Sequence, residues 1–258
     1  MSTITRSEFR PPYVGVRYEF DANTAETVTS SAPFQFSDDF VGGGHSAGVP
    51  AAGSPVAGYP WVKKIVGAAP PTVAQAAGVN AGGLMNNTLT ATSEAEEASL
   101  YFNDSLQIDT TRIGQAEWRA QLVQAPTGVA QIAIGLGSAW VGGPLNLARY
   151  LLFLWNANNT LTIQWKDGGA NTGSLTAAPA GGSAIATDGN FHIYRIDWSN
   201  PADIGFWVDG GRVNAAASVA WAPSGTNGVF QPWHTCYKAS GTGLATLSVD
   251  KIDAFNNR

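Results

Sequence analysis

An all-β sandwich is the fold class that this sequence predicts, and three observations predict it. Segments in which apolar and polar residues alternate recur from Phe34 to the C-terminus, with Gly, Pro, Asn and Ser between them. No Ser, Thr, Asp or Asn cap precedes an apolar i, i+3, i+4, i+7 run, so helices lack both a start signal and a buried face. The composition agrees. Of 258 residues 30 are Gly and 14 Pro, aromatics reach 10% with nine Trp, and charged residues fall to 13%, about half the usual ~25%. Such a chain is too hydrophobic for disorder and too poor in charged helix formers for a bundle. One all-β unit can accommodate this length.

The elements follow in order. Residues 34–40 alternate Phe34, Phe36 and Phe40 with polar residues and open the series, and a Gly/Pro/Ala-rich loop follows at 42–60. Trp118, Ala120 and Leu122 alternate with Glu117, Arg119 and Gln121, as a half-buried strand requires. Ile132, Ile134 and Leu136 repeat the pattern. Residues 150–155 are apolar on both faces, which predicts a central strand. Residues 156–159 then turn the chain into 161–165, a hairpin. Residues 191–198 and 204–209 form a second hairpin around Ser199, Asn200 and Pro201. In the last segment, 244–255, Ala245, Leu247 and Val249 share one face. The apolar phase then moves to Ile252 and Ala254, which predicts a β-bulge. About a dozen strand candidates result, the number expected of a sandwich or barrel. No repeat of fixed period is evident.

Residues 1–34 read differently. Arg6, Arg10, Arg17, the Pro11–Pro12 pair and a Thr/Ser-rich run make an extended arm, with the sandwich at 35–258. Composition leaves open whether the arm lies on a partner or frays. Met1 to Arg10 holds no apolar leader core, which predicts synthesis in a cytoplasm.

Charge narrows the partners. A net charge of −5 argues against a nucleic-acid-coating surface. Two stretches, 120–148 and 213–237, contain no Asp, Glu, Lys or Arg. Gln121, Gln124, Pro126, Gln131 and Pro144 interrupt the first, and Asn214, Pro223, Asn227 and Pro232 the second, so neither reads as a membrane span. The single cysteine, Cys236, excludes an intrachain disulfide and reads as a small buried hydrophobe.

Three segments resemble the concanavalin-A-like (laminin-G-like) jelly rolls. Phe191-His-Ile-Tyr-Arg-Ile-Asp-Trp198 followed by Ile204-Gly-Phe-Trp-Val-Asp-Gly210 is similar to that family's aromatic–His–x–Tyr strand, turn and Val-Asp-Gly strand. Residues 36–40 resemble its first strand and 246–255 its closing strand. The resemblance implies two antiparallel sheets but little about activity, since many functions share this sandwich. A narrower resemblance lies in Trp61-Val-Lys-Lys-Ile-Val-Gly-Ala-Ala-Pro-Pro-Thr-Val73, which is similar to a segment of structural proteins of tailed bacteriophages. It implies a capsid decoration or head-fibre protein. The arm, residues 1–34, would hold the major capsid protein or another virion component, and the jelly roll would face outward as a homo-oligomer made in the host cytoplasm.

Enzymatic signatures are weak. Hydrolases of the resembled fold carry Glu-x-Asp-x-Glu, whose alternation sets carboxylates on one sheet face for retaining chemistry. None of the 19 acidic residues has that spacing. The nearest cluster, Glu94, Glu96 and Glu97, reads as a solvated turn, and Glu117 stands alone on its strand. Gly44-His-Ser-Ala-Gly48 matches a nucleophile elbow, but Pro50 and Pro55 forbid the helix an elbow must feed, so Ser46 reads as a loop residue. His45, His192 and His234 lack ligand spacing, and His192 reads as a structural histidine. Asp38, Asp39, Asp250 and Asp253 fall on the first and last strands, where calcium could find oxygen ligands, but read as ordinary polar positions. Gly42 to Gly44 is followed by no phosphate-loop Lys. No catalytic, cofactor-binding or metal residue is assigned, and no cofactor is expected.

Two functional expectations result. The first is a non-enzymatic virion structural protein, since a surface poor in charge suits permanent packing. The alternative is a lectin-like module that adheres to a surface glycan, with Trp140, Trp155, Trp207, Trp221 and Trp233 as candidate platforms. Trp118 and Trp198 read as core.

Overall fold

The computed structural model describes residues 34–40, 49–54, 60–76, 83–157, 160–179, 188–223 and 225–257. They form two antiparallel sheets of eight strands each. In chain order the strands are β1 (Phe34–Asp38), β2 (Val62–Val66), β3 (Thr72–Gln75), β4 (Met85–Thr88), β5 (Glu96–Tyr101), β6 (Ile108–Asp109), β7 (Gly114–Gln124) and β8 (Gln131–Gly137). They continue with β9 (Tyr150–Trp155), β10 (Leu161–Lys166), β11 (Thr172–Thr176), β12 (Phe191–Asp197), β13 (Gly205–Val208), β14 (Gly211–Arg212), β15 (Val229–Lys238) and β16 (Thr246–Asn256). Sheet I runs β14-β13-β12-β7-β16-β4-β3, with β1 also on β16. Sheet II runs β11-β10-β9-β8-β15-β5-β2, with β6 also on β15. Among the described residues no helix is long and apolar enough to cross a membrane.

Two long strands organise the sheets. On one edge β16 pairs β4 through Thr246–Val249 and β1 through Ile252–Asn256, while its other edge follows β7 throughout. β15 does the same in sheet II, pairing β5 and β6 on one side and β8 on the other. The expected strands are present, including the β9–β10 hairpin, where Leu161 faces Trp155. The phase shift in the last segment is a bulge, with register breaking between Val249 and Lys251.

The inward side chains follow the alternation. Ala116, Trp118, Ala120 and Leu122 of β7 enter the core, as do Leu247, Val249, Ile252 and Ala254 of β16. Trp61, Phe40 and Phe102 pack with Phe36 and His234 at one end, and Phe153, Phe206, Trp155 and Tyr194 pack edge to face at the other. Each fully buried aromatic contributes about 1.5–3 kcal/mol. Cys236 is buried, and burial pushes its thiol well above the ordinary range, so it behaves as the expected small hydrophobe.

Sheet II is covered on its outer face as well. A second cluster unites Val62, Tyr101, Ala133, Leu147, Tyr150, Leu152, Leu154 and Trp233. The outward positions of the central strand β8 are small. Gly135 sits at φ +149 with a Cβ position only 2.1 Å from Leu151 O, where no side chain fits, and Gly137 leaves room for Leu147 Cδ1. Leu147 and Trp140 come from the loop 138–149, uncharged as far as Ala148, which folds back over the sheet.

The acidic cluster Glu94, Glu96 and Glu97 corrects the solvated-turn reading. Glu96 and Glu97 are buried on β5. Lys238, equally buried, lies 3.4 Å from Glu96 and donates to Thr90 O (2.7 Å) and Thr92 O (2.6 Å). Glu94 accepts from Ala68 N and Ala69 N, which holds it below the usual carboxylate range and ties the β2–β3 connection to the turn before β5. The partners are distant in sequence, so a local reading could not see them. Among the other expectations, the arm 1–34 lies outside the described residues except for Phe34, which opens β1, and Gly44–Gly48 with Ser46 and His45 lies outside them entirely.

Candidate functional site

The outer face of sheet I forms a shallow groove of about 470 Å³. Its walls come from four strands, and alternation decides which side chains reach it. On β7 the residues between the buried ones, Glu117 and Arg119, face out, and on β12 Ile193 and Arg195 do. On β13 Phe206 and Val208 point to the core, so Trp207 points away from it. On β16 the bulge is decisive. Continued from Leu247 and Val249, the period would bury residues 251 and 253. The extra residue, Asp250, inverts the phase, so Lys251 and Asp253 face the groove instead. Register then lines up Asp253, Glu117, Arg195, Trp207 and Arg212 across five strands.

The electrostatics of that row are uneven. Lys251 Nζ lies 2.7 Å from Asp253, and Arg119 pairs with Asp250 and stacks on Phe191 at 4.4 Å from the ring centroid. Arg195 stacks on Trp207 at 4.8 Å. Burial, then the neighbouring charge of Asp253, raises the Glu117 carboxyl above the usual range, against the pull of Arg195 and Lys251. On the other side of β12, in step with the buried Tyr194, His192 is clamped, with Nδ1 2.6 Å from Asp209 and Nε2 2.8 Å from Asp188. Burial alone would depress this imidazole, but the two carboxylates outweigh it and raise it. His192 is thus the satisfied structural histidine that the sequence predicts.

Sheet II presents the other candidate. Glu97, Ser99 and Tyr101 of β5 occupy alternate outward positions, with a carboxylate only at the first. Glu97 is fully engaged, accepting from Ser99 Oγ (2.5 Å), Trp140 Nε1 (2.8 Å) and Gly143 N (3.0 Å). Burial raises its pKa although these donors oppose the shift. Asp104 accepts from Trp140 N at 2.7 Å, and Lys64 Nζ sits 4.5 Å over the Trp140 ring. The cluster latches the loop 138–149 in place.

The other candidate residues are scattered. Trp155, Trp221 and Trp233 are buried and offer no platform, while Trp140 and Trp207 are half-buried. Trp118 and Trp198 are core. Asp38 turns inward, accepting from Trp61 Nε1 at 2.8 Å, whereas Asp253 turns outward, so the neighbouring strands β1 and β16 do not bring these carboxylates together. Among the described residues no three His, Cys, Asp or Glu side chains gather as a metal site would require. His234 is buried with both ring nitrogens unpaired, and burial lowers its pKa to about 3.

No protein-family model matches the chain, and no curated protein matches it. Solved structures do. A protein of unknown function from Shewanella oneidensis superposes with a TM-score of 0.54 at 13% identity, over 92% of this chain and 95% of that one. A beta-1,3-glucanase from Mycobacterium marinum gives 0.52 at 15% identity over 85% and 97%. The laminarinase from Rhodothermus marinus gives 0.50 at 16% over 88% and 99%. At such identities the likeness is one of fold. The chain has the concanavalin-A-like lectin/glucanase jelly roll, a sandwich of two antiparallel sheets.

Proposed function

We propose that this protein is a carbohydrate-binding jelly roll that holds a glycan without cleaving it. The groove on sheet I carries this reading. A half-buried tryptophan beside a few convergent polar groups suits a ligand with apolar C–H faces and a hydroxyl rim. The fold shared with glucanases is consistent with a sugar partner. Absence of cleavage is argued from sheet II. The outward positions of β8 are Gln131, Ala133, Gly135 and Gly137, and those of β5 after Glu97 are Ser99 and Tyr101, so neither strand supplies Glu97 with a second carboxylate for retaining hydrolysis. A glycan array probed with the full chain tests binding. Trp207→Ala is expected to weaken the best ligand at least ~10-fold, about 1.4 kcal/mol, with its melting transition kept. Release of reducing ends from a bound polymer would overturn the non-catalytic part.

Display on a bacteriophage virion is a further reading, implied by the likeness of residues 61–73. One observation favours it. That segment forms β2 and β3 and so supplies an edge strand to each sheet, and edges are where a neighbouring chain can pair. Virions that keep the domain after residues 1–34 are deleted would overturn the arm's role.

A further inference from the structure

The groove holds two groups of opposite charge, Glu117 and Arg195, that make no hydrogen bond or ion pair among the described residues. Among the described residues Glu117 accepts no hydrogen bond, and Arg195 makes none, its Nε being buried without an acceptor. They are register partners on β7 and β12, yet no ion pair joins them. The neighbouring charges are already engaged, Lys251 with Asp253 and Arg119 with Asp250. Stacking on Trp207 occupies a face of the Arg195 guanidinium and, with Nε buried, leaves its terminal Nη groups for a ligand. Glu117 can only accept when ionised, and Arg195 can only donate. A ligand that satisfies both must donate on one side and accept on the other within a few ångströms. An anionic group would suit Arg195 but face Glu117 and Asp253. A cation would meet the reverse conflict with Arg195, Arg119 and Lys251.

Resting on the glycan-binding reading above, we infer that Glu117 and Arg195 bind a vicinal diol of an uncharged sugar ring. One hydroxyl donates to the carboxylate and its neighbour accepts from the guanidinium. The groove therefore selects neutral glycans over uronic, sialylated or sulfated ones, and Trp207 is a positioning residue for Arg195.

The experiment uses the full chain on an array carrying neutral hexose polymers beside uronate-containing, sialylated and sulfated glycans, followed by calorimetry on the best ligand. Neutral glycans should bind. Glu117→Gln and Arg195→Gln should each weaken binding ~10-fold or more, since each removes a charge-assisted hydrogen bond, while the melting temperature stays within about a degree or two of wild type. Wild-type affinity should fall as acid protonates Glu117, which Asp253 and Lys251 face from β16, Arg195 from β12 and Arg119 from its own strand. Glu117→Gln should remove that dependence. Binding confined to acidic glycans would overturn the diol assignment and leave the glycan-binding reading standing. So would neutral-glycan binding that neither substitution alters. Failure to bind any class would overturn the glycan-binding reading and this inference with it.

Discussion

The outer faces of the two sheets were built under opposite rules. Sheet I leaves its face to solvent and lines it with charge. Sheet II covers its face with a second apolar cluster and a loop that a buried carboxylate pins down. The contrast explains the low charge content. The two charge-free stretches, 120–148 and 213–237, contain β8 and nearly all of β15, which pair with each other at the centre of sheet II. A strand covered on both sides has no solvated face on which to put a charge. The deficit therefore marks where the protein is closed, and the remaining charges mark where it is open.

The comparison can be broken most forcefully at Lys238. Lys238→Met leaves Glu96 buried without its cation and two carbonyls without a donor. It should cost roughly 3–5 kcal/mol of unfolding free energy in a urea titration. A loss below ~1 kcal/mol would mean that the turn before β5 is far more hydrated than its burial implies. A smaller effect separates the two faces directly. Leu147→Ala on sheet II should cost about 2–5 kcal/mol, because Leu147 fills the space above Gly137. Ile193→Ala on sheet I, where the side chain is 40% exposed, should stay within ~0.5–1 kcal/mol. Equal losses would dissolve the distinction between a closed and an open face.

The smallest effect concerns the His192 clamp, and its sign follows from the raised imidazole pKa. A group whose folded-state pKa exceeds the unfolded value, 6.5 here, contributes stability that is fully present below that value. The contribution is lost as pH rises through the folded-state pKa. Melting temperature should therefore decline over that window in the wild type. In His192→Gln that part of the decline should be absent. An unchanged pH profile would show that Asp188 and Asp209 hold the turn without the imidazolium.

Much of the fold was legible in the sequence because each strand announces its own faces. Alternation around Trp118 and the two-sided apolar run 150–155 each place one strand, and the phase shift after Val249 announces the bulge. The groove was not legible as a site. Glu117 reads locally as a lone acid, Trp207 as a candidate platform and Asp253 as an ordinary polar position, but only strand order sets them in one row with Arg195, and nothing within a strand encodes its neighbour. Alternating charge on β7 and after the bulge was the available signal. Glu96 and Glu97 were misread for a related reason. A charge is assigned to solvent until its partners are known, and here the partners Lys238, Trp140 and Gly143 come from β15 and from the loop 138–149.

The bulge at Asp250 has one more consequence. Point changes at Lys251 or Asp253 alter the groove wall and leave the apolar interior of the sandwich intact, so the chemistry of the groove can drift by substitution. Loss of Asp250 itself would leave Val249 and Lys251 opposite Ala120 and Arg119 in unbroken register, with Ile252 and Ala254 still inward, and would remove only the carboxylate that engages Arg119. The site is thus open to revision in its letters and, at the bulge, in its length as well.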